Sequence, residues 1–176
     1  RQSRPSSEVR MNRLVRVMDL LLTRALVILM LGLVGAVLFQ VVSRYVFSSP
    51  GSWTEEVARF LLIWISLLGA VYAFRNGAHL GLDLLPQKLA QPAGDRLRRF
   101  IAVLVFVFSA AVLVVGGGGL VWLTWDLAQY SAVLGLPMSL VYSVIPVSGL
   151  LICLYAAAAW RDPSFVASTG IAPGGG

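Results

Sequence analysis

The chain has 176 residues, 58% of them hydrophobic and only 12% charged, with a formal charge of +6. Soluble domains carry about 25% charged residues, so a water-soluble fold of this length is excluded, and the length allows one membrane-embedded domain over residues 1–176. The basic residues flank apolar runs and form no face with base-reading groups, which excludes nucleic acid as a partner and points to membrane lipid.

Four runs reach the roughly 20 apolar residues that a bilayer crossing needs. The first predicted span is Leu20–Phe47, preceded by Arg1, Arg4, Arg10, Arg13 and Arg16. It is too long for a signal-peptide core and lacks a small-x-small cleavage site, so it reads as a retained helix. Arg24 sits just inside it, where its stem reaches back to the headgroups. Gly32 and Ala36 are small residues at helical spacing and predict close helix packing.

Ser48-Ser49-Pro50-Gly51 reads as a tight turn before the second span, Glu55–Arg75. Ser52 fits a helix N-cap, with Glu55 three residues on completing a capping box. Glu55 and Glu56 lie beside the positive end of the helix dipole, and Arg59 falls one turn after Glu55. Trp64 lies near mid-membrane, where its indole N–H needs an acceptor. Further along, Ser66 with Ala70 and Gly69 with Ala73 repeat the small-residue spacing.

In the connection after Arg75, apolar residues recur from Leu80 to Leu89 among Asp83, Gln87 and Lys88. Pro86 prevents one long helix, so a short amphipathic helical segment at the inner surface is predicted. His79 and Asp83 stand one turn apart and read, with Arg75, as a structural cluster of this loop. The third span, Leu97–Trp125, contains the glycine run Gly116–Gly119. Close packing or a kink explains the run better than an unwound substrate route, because no polar side chain accompanies it. The fourth span, Ser139–Trp160, should bend at Pro146. The ends, about 1–12 and 164–176, read as flexible.

Orientation follows from Lys and Arg. With the amino terminus inside, the inner side holds five Arg before span one, then Arg75, Lys88, Arg96, Arg98 and Arg99, then Arg161; the outer side holds Arg44 and Arg59. Both termini are therefore expected in the cytoplasm, in an all-α membrane protein with four transmembrane helices. Tyr45, Trp53, Trp122, Trp125 and Tyr130 then fall at the outer interface, and Trp160 at the inner one.

Reactive chemistry finds little footing. There is one histidine and one cysteine, Cys153, with no cluster at metal-ligand spacing and no partner for an internal disulfide. The deeper polar residues of the spans, Gln40, Ser43, Ser66, Ser109 and Ser148, are neutral. A central charge costs roughly 2.5–3.5 kcal/mol, and proton or ion paths use such charges. No enzyme activity, cofactor or metal is expected, and no internal repeat marks a self-contained transporter.

The stretches "RYVF" and "SWTEEVARFLLIWISLLGAVYAFRNGAHLGLDLLPQKL", with the later "LGLPMSLVYSVIPVSGLL", resemble the small membrane subunit of tripartite ATP-independent periplasmic (TRAP) transporters, the DctQ-like family. Arg44-Tyr45, Trp53, Glu55-Glu56, Arg59, Trp64, Gly69, Arg75, His79, Asp83, Pro137, Tyr142 and Pro146 carry the resemblance. It implies a four-helix, non-catalytic scaffold in the bacterial inner membrane. It also implies two protein partners, a large multi-span subunit that binds sodium and substrate and moves as an elevator, and a periplasmic substrate-binding protein. The cargo so implied is an organic acid, of the C4-dicarboxylate or sialic-acid type. On this reading Trp53, Glu55, Glu56, Arg59 and Trp64 form a partner-facing rim. The alternative is a self-contained small channel or homo-oligomeric membrane protein, which would conduct without any partner.

Overall fold

A computed structural model describes residues 6–46, 51–76 and 93–161. Nearly all of them are helical, as long apolar segments must be where no water can satisfy the main chain. The elements are α1 (Ser6–Val46), α2 (Ser52–Arg75), α3 (Ala93–Phe108), a π-helical segment (Ser109–Gly116), α4 (Gly117–Asp126), α5 (Met138–Tyr142) and α6 (Val144–Arg161). Among the described residues the only β feature is one isolated bridge between Tyr130 and Pro137.

Among the described residues four stretches are long and apolar enough to cross a bilayer: Arg16–Val46, Ser52–Arg75, Phe100–Asp126 and Met138–Ala158. The predicted short amphipathic segment between spans two and three, with His79 and Asp83, lies outside the described residues. So do most of the two ends expected to be flexible. Helix α1 already runs from Ser6, since neither Pro nor Gly interrupts the residues between Ser6 and Leu20. Its apolar part of 31 residues is about 46 Å long at 1.5 Å per residue, longer than the roughly 30 Å hydrocarbon layer.

The chain divides into two compact units, Arg1–Leu68 and Gly69–Gly176, with the boundary inside α2. In the first, Phe39 of α1 packs on Trp53 of α2, with ring centroids 5.4 Å apart and planes tilted by 48°. A methyl group placed on Gly32 would lie 3.7 Å from Leu61 Cδ1, an ordinary contact across the same two helices.

In the second unit, span four is the most enclosed. Val141, Val144, Ser148, Tyr155 and Ala156 are almost completely buried. Span three packs along it, and the fit depends on two glycines. An atom in the Cβ position of Gly117 would lie 2.6 Å from Ile145 Cγ2 and 3.2 Å from Pro146 Cδ. One in the Cβ position of Gly149 would lie 2.6 Å from Leu113 Cβ and 3.1 Å from the Leu113 carbonyl carbon. Each helix thus presents a bare backbone to bulky side chains of the other, one turn apart.

The run Gly116–Gly119 stays helical; only Gly117 faces a tight contact, while Gly118 and Gly119 have open space. The irregularity lies just before the run, where the segment Ser109–Gly116 is wound as a π-helix. Its wider turn, bonded i to i+5, shifts the angular register of the turns beyond it, and Gly117 is the glycine that ends up against Ile145. Cys153 Sγ donates to the Phe106 carbonyl at 3.7 Å, holding span four to span three just before this segment.

Span four is broken between α5 and α6 at Ser143. Pro146 has no N–H to offer the Tyr142 carbonyl one turn back. Ser143 adds a hydroxyl bond to the Leu140 carbonyl at 2.7 Å. The irregularity expected at Pro146 therefore shows three residues earlier, where the missing bond is felt.

Candidate functional site

The entrance to span two carries the charges that the sequence singles out. Helix α2 starts at Ser52, directly after Gly51. In the first turn the Thr54 hydroxyl donates to the Gly51 carbonyl at 2.7 Å and its amide N–H to the same oxygen at 3.1 Å. Thr54 is completely buried. Glu55 turns along the helix and accepts from Arg59 Nη2 at 3.0 Å, with both side chains about two-thirds exposed. Glu56 is half-buried. Trp53 folds back over Gly51, whose Cβ position is 3.0 Å from the indole Nε1, and rests against Phe39. The result is a rim of an aromatic pair and an exposed ion pair at one end of the first unit.

The remaining candidate residues spread along α2 and beyond. Trp64 is half-buried, a turn and more below Arg59. Ser66 and Ala70 are exposed, Ala73 and Ala36 are half-buried, and a Cβ at Gly69 would have open space. Arg75 closes the span. It is buried, with its guanidinium carbon 5.9 Å from the centroid of the buried Tyr155 ring on α6, within cation–π range. Pro146 sits in the Gly117 contact.

Two hydroxyls of spans three and four serve their own helices. Ser148 Oγ donates to the Ile145 carbonyl at 2.8 Å, and Thr124 Oγ1 lies 2.9 Å and 3.0 Å from the Leu120 and Val121 carbonyls. Among the described residues no buried side-chain nitrogen or oxygen lacks a partner, and no group of three His, Cys, Asp or Glu is placed to hold a metal. Sequence reasoning passed over Gly149 and, apart from Tyr130 and Pro137, the loop 127–137. A lone glycine in an apolar run carries no mark, and the loop contains no charged residue.

Among the described residues the arrangement is one of surfaces and helix packing. Residues 33–164 match the family described as tripartite ATP-independent periplasmic transporters, DctQ component. The chain belongs to the DctQ family. A putative TRAP transporter small permease protein of Haemophilus influenzae is 33% identical over 130 residues, which cover 72% of this chain and 78% of that protein. The C4-dicarboxylate TRAP transporter small permease protein of Rhodobacter capsulatus is 33% identical over 104 residues, 57% of this chain and 44% of that one. A third relative, the isethionate TRAP transporter permease protein DctMQ of Oleidesulfovibrio alaskensis, is 32% identical over 125 residues, 68% of this chain but only 20% of its own length. As a DctQ-family member with four membrane-crossing helices, the chain is a multi-pass protein of the bacterial inner membrane and a transporter component, not an enzyme.

Proposed function

We propose that this DctQ-family chain is the fixed scaffold of a sodium-coupled, binding-protein-dependent transporter that takes up an organic acid of the C4-dicarboxylate or sialic-acid type. Its partners are a large, elevator-type permease subunit and a periplasmic substrate-binding protein. The observation that carries this reading is the match to the DctMQ relative: four-fifths of that permease lies outside the shared segment. Sodium and substrate sites belong, on this reading, to that larger part. The neutral, self-satisfied polar groups of the present spans fit such a division of labour.

Residues 1–176 act as one membrane domain with both ends in the cytoplasm, which sets the start of span two on the periplasmic side. There Trp53, Glu55, Glu56, Arg59 and Trp64 form the rim that meets a partner. Arg75, His79 and Asp83 order the cytoplasmic end, and Gly32, Ala36, Gly69, Ala73 and Pro146 serve helix packing. The test is uptake by cells carrying the complete transporter, with membrane abundance held equal. Removing the chain should abolish uptake. The double reversal Glu55→Lys/Glu56→Lys should lower it several-fold. Normal uptake in the reversal variant removes the docking role and leaves the helix start alone, whereas normal uptake without the chain removes the scaffold role itself.

A further inference from the structure

The connection between spans three and four is built unlike a water-facing loop. Its main chain closes on itself. The amides of Ala128 and Gln129 donate to the Trp125 and Thr124 carbonyls at 3.0 Å and 3.1 Å, and Ser131 donates to Leu136 at 2.8 Å. Gly135 donates to Ser131 at 3.2 Å, and Met138 reaches across to Gln129 at 2.9 Å. The buried Ser131 hydroxyl accepts a further bond from Leu134 N–H at 3.2 Å.

The side chains show the opposite distribution. Leu127, Tyr130, Val133 and Leu136 stand exposed, by 58%, 65%, 52% and 40%, and they continue the exposed Trp122 and Trp125 of α4. From Leu127 to Ser143 there is no charged residue, and Asp126 marks the last charge before the loop. Water-facing loops leave main-chain groups to water and carry polar side chains. Main-chain groups bonded within the loop and apolar groups turned outward are what a medium poor in water requires. A soluble protein docking here would find a patch with no charge to read.

We propose that residues 127–137 lie in the interfacial layer of the bilayer, bound to lipid and not projected into the aqueous compartment. The aliphatic side chains and the two indoles mix with the upper acyl chains. Tyr130 places its ring among them and its hydroxyl among the headgroups, the arrangement that suits an amphipathic aromatic. The loop then anchors the end of spans three and four by its own surface, and a soluble partner approaching this side of the membrane must dock elsewhere. This inference does not depend on the scaffold reading.

The experiment uses the full chain in phosphatidylcholine nanodiscs, with Cys153→Ala removing the native thiol and Val133→Cys adding one. A nitroxide on V133C should be relaxed more strongly by molecular oxygen, which concentrates in lipid, than by a water-soluble nickel chelate. Its unlabelled thiol should react with a charged maleimide roughly tenfold more slowly than a free thiol in the same buffer, as expected where apolar surroundings raise a thiol pKa by about one unit. Stronger relaxation by the nickel chelate overturns the proposal, because the loop is then in water. So does a nitroxide shielded from both agents, because a protein surface then covers it.

Discussion

Gly117 and Gly149 matter because of what faces them. A methyl group at Gly117 would meet Ile145, a β-branched side chain with little rotamer freedom, and the rigid ring of Pro146. One at Gly149 would meet Leu113 at 2.6 Å and its main-chain carbon at 3.1 Å, which cannot swing aside. Gly117→Ala and Gly149→Ala should each destabilise the protein by about 1–3 kcal/mol, the usual cost of overpacking. Gly118→Ala, with no atom within 4 Å, should leave stability unchanged or raise it by up to about 1 kcal/mol. Thermal unfolding in detergent distinguishes them, and three equal midpoints would show that the close approach is not what requires glycine. The run itself was visible in the sequence as a packing or bending feature. Which of its four members carries the contact was not, since that depends on the rotation set by the π-helical segment and on a partner glycine more than thirty residues away.

Among the elements, the end of α4 carries a cost that sequence alone concealed. The chain leaves the helix through Ala128 at φ +46°, with Gln129 N–H bonded back to Thr124 and Ala128 N–H to Trp125, a Schellman closure. The left-handed conformation costs an L-residue about 1–2 kcal/mol, while glycine loses about 0.4–1 kcal/mol through its freer unfolded chain. Ala128→Gly should therefore be net stabilising, by up to about 1 kcal/mol, read as a higher unfolding midpoint; a lower one would mean that this closure is absent in the membrane. Helix existence was legible, because apolar runs of this length have no other stable form in lipid. Helix ends were less so. The helical turns of α1 before Arg16 lie outside the apolar pattern, and the stop at Ala128 lacks the glycine that usually announces it.

For the whole molecule, the four spans and the family followed from the order and length of the apolar runs together with the charged start of span two. The assignment of partners did not follow from composition, since a scaffold is defined by what it leaves to other chains. Large side chains stand exposed along much of α1, among them Ile28, Leu31 and Leu38, and lipid or a companion subunit must cover them. Purified and reconstituted alone in sodium-loaded or sodium-free liposomes, the chain should move no organic acid. Uptake should need the large permease and the binding protein together, and translocation by the isolated chain would overturn the proposed role.

The contacts at Gly117 and Gly149 constrain motion as well as distance. Two smooth helices can slide lengthwise past each other at little cost. Here a shift of one residue would drive Ile145 off its bare seat and Leu113 off the other, so spans three and four resist shear as a toothed joint does. Force applied along the membrane normal at one of these helices is passed to the other, and the pair moves together or not at all.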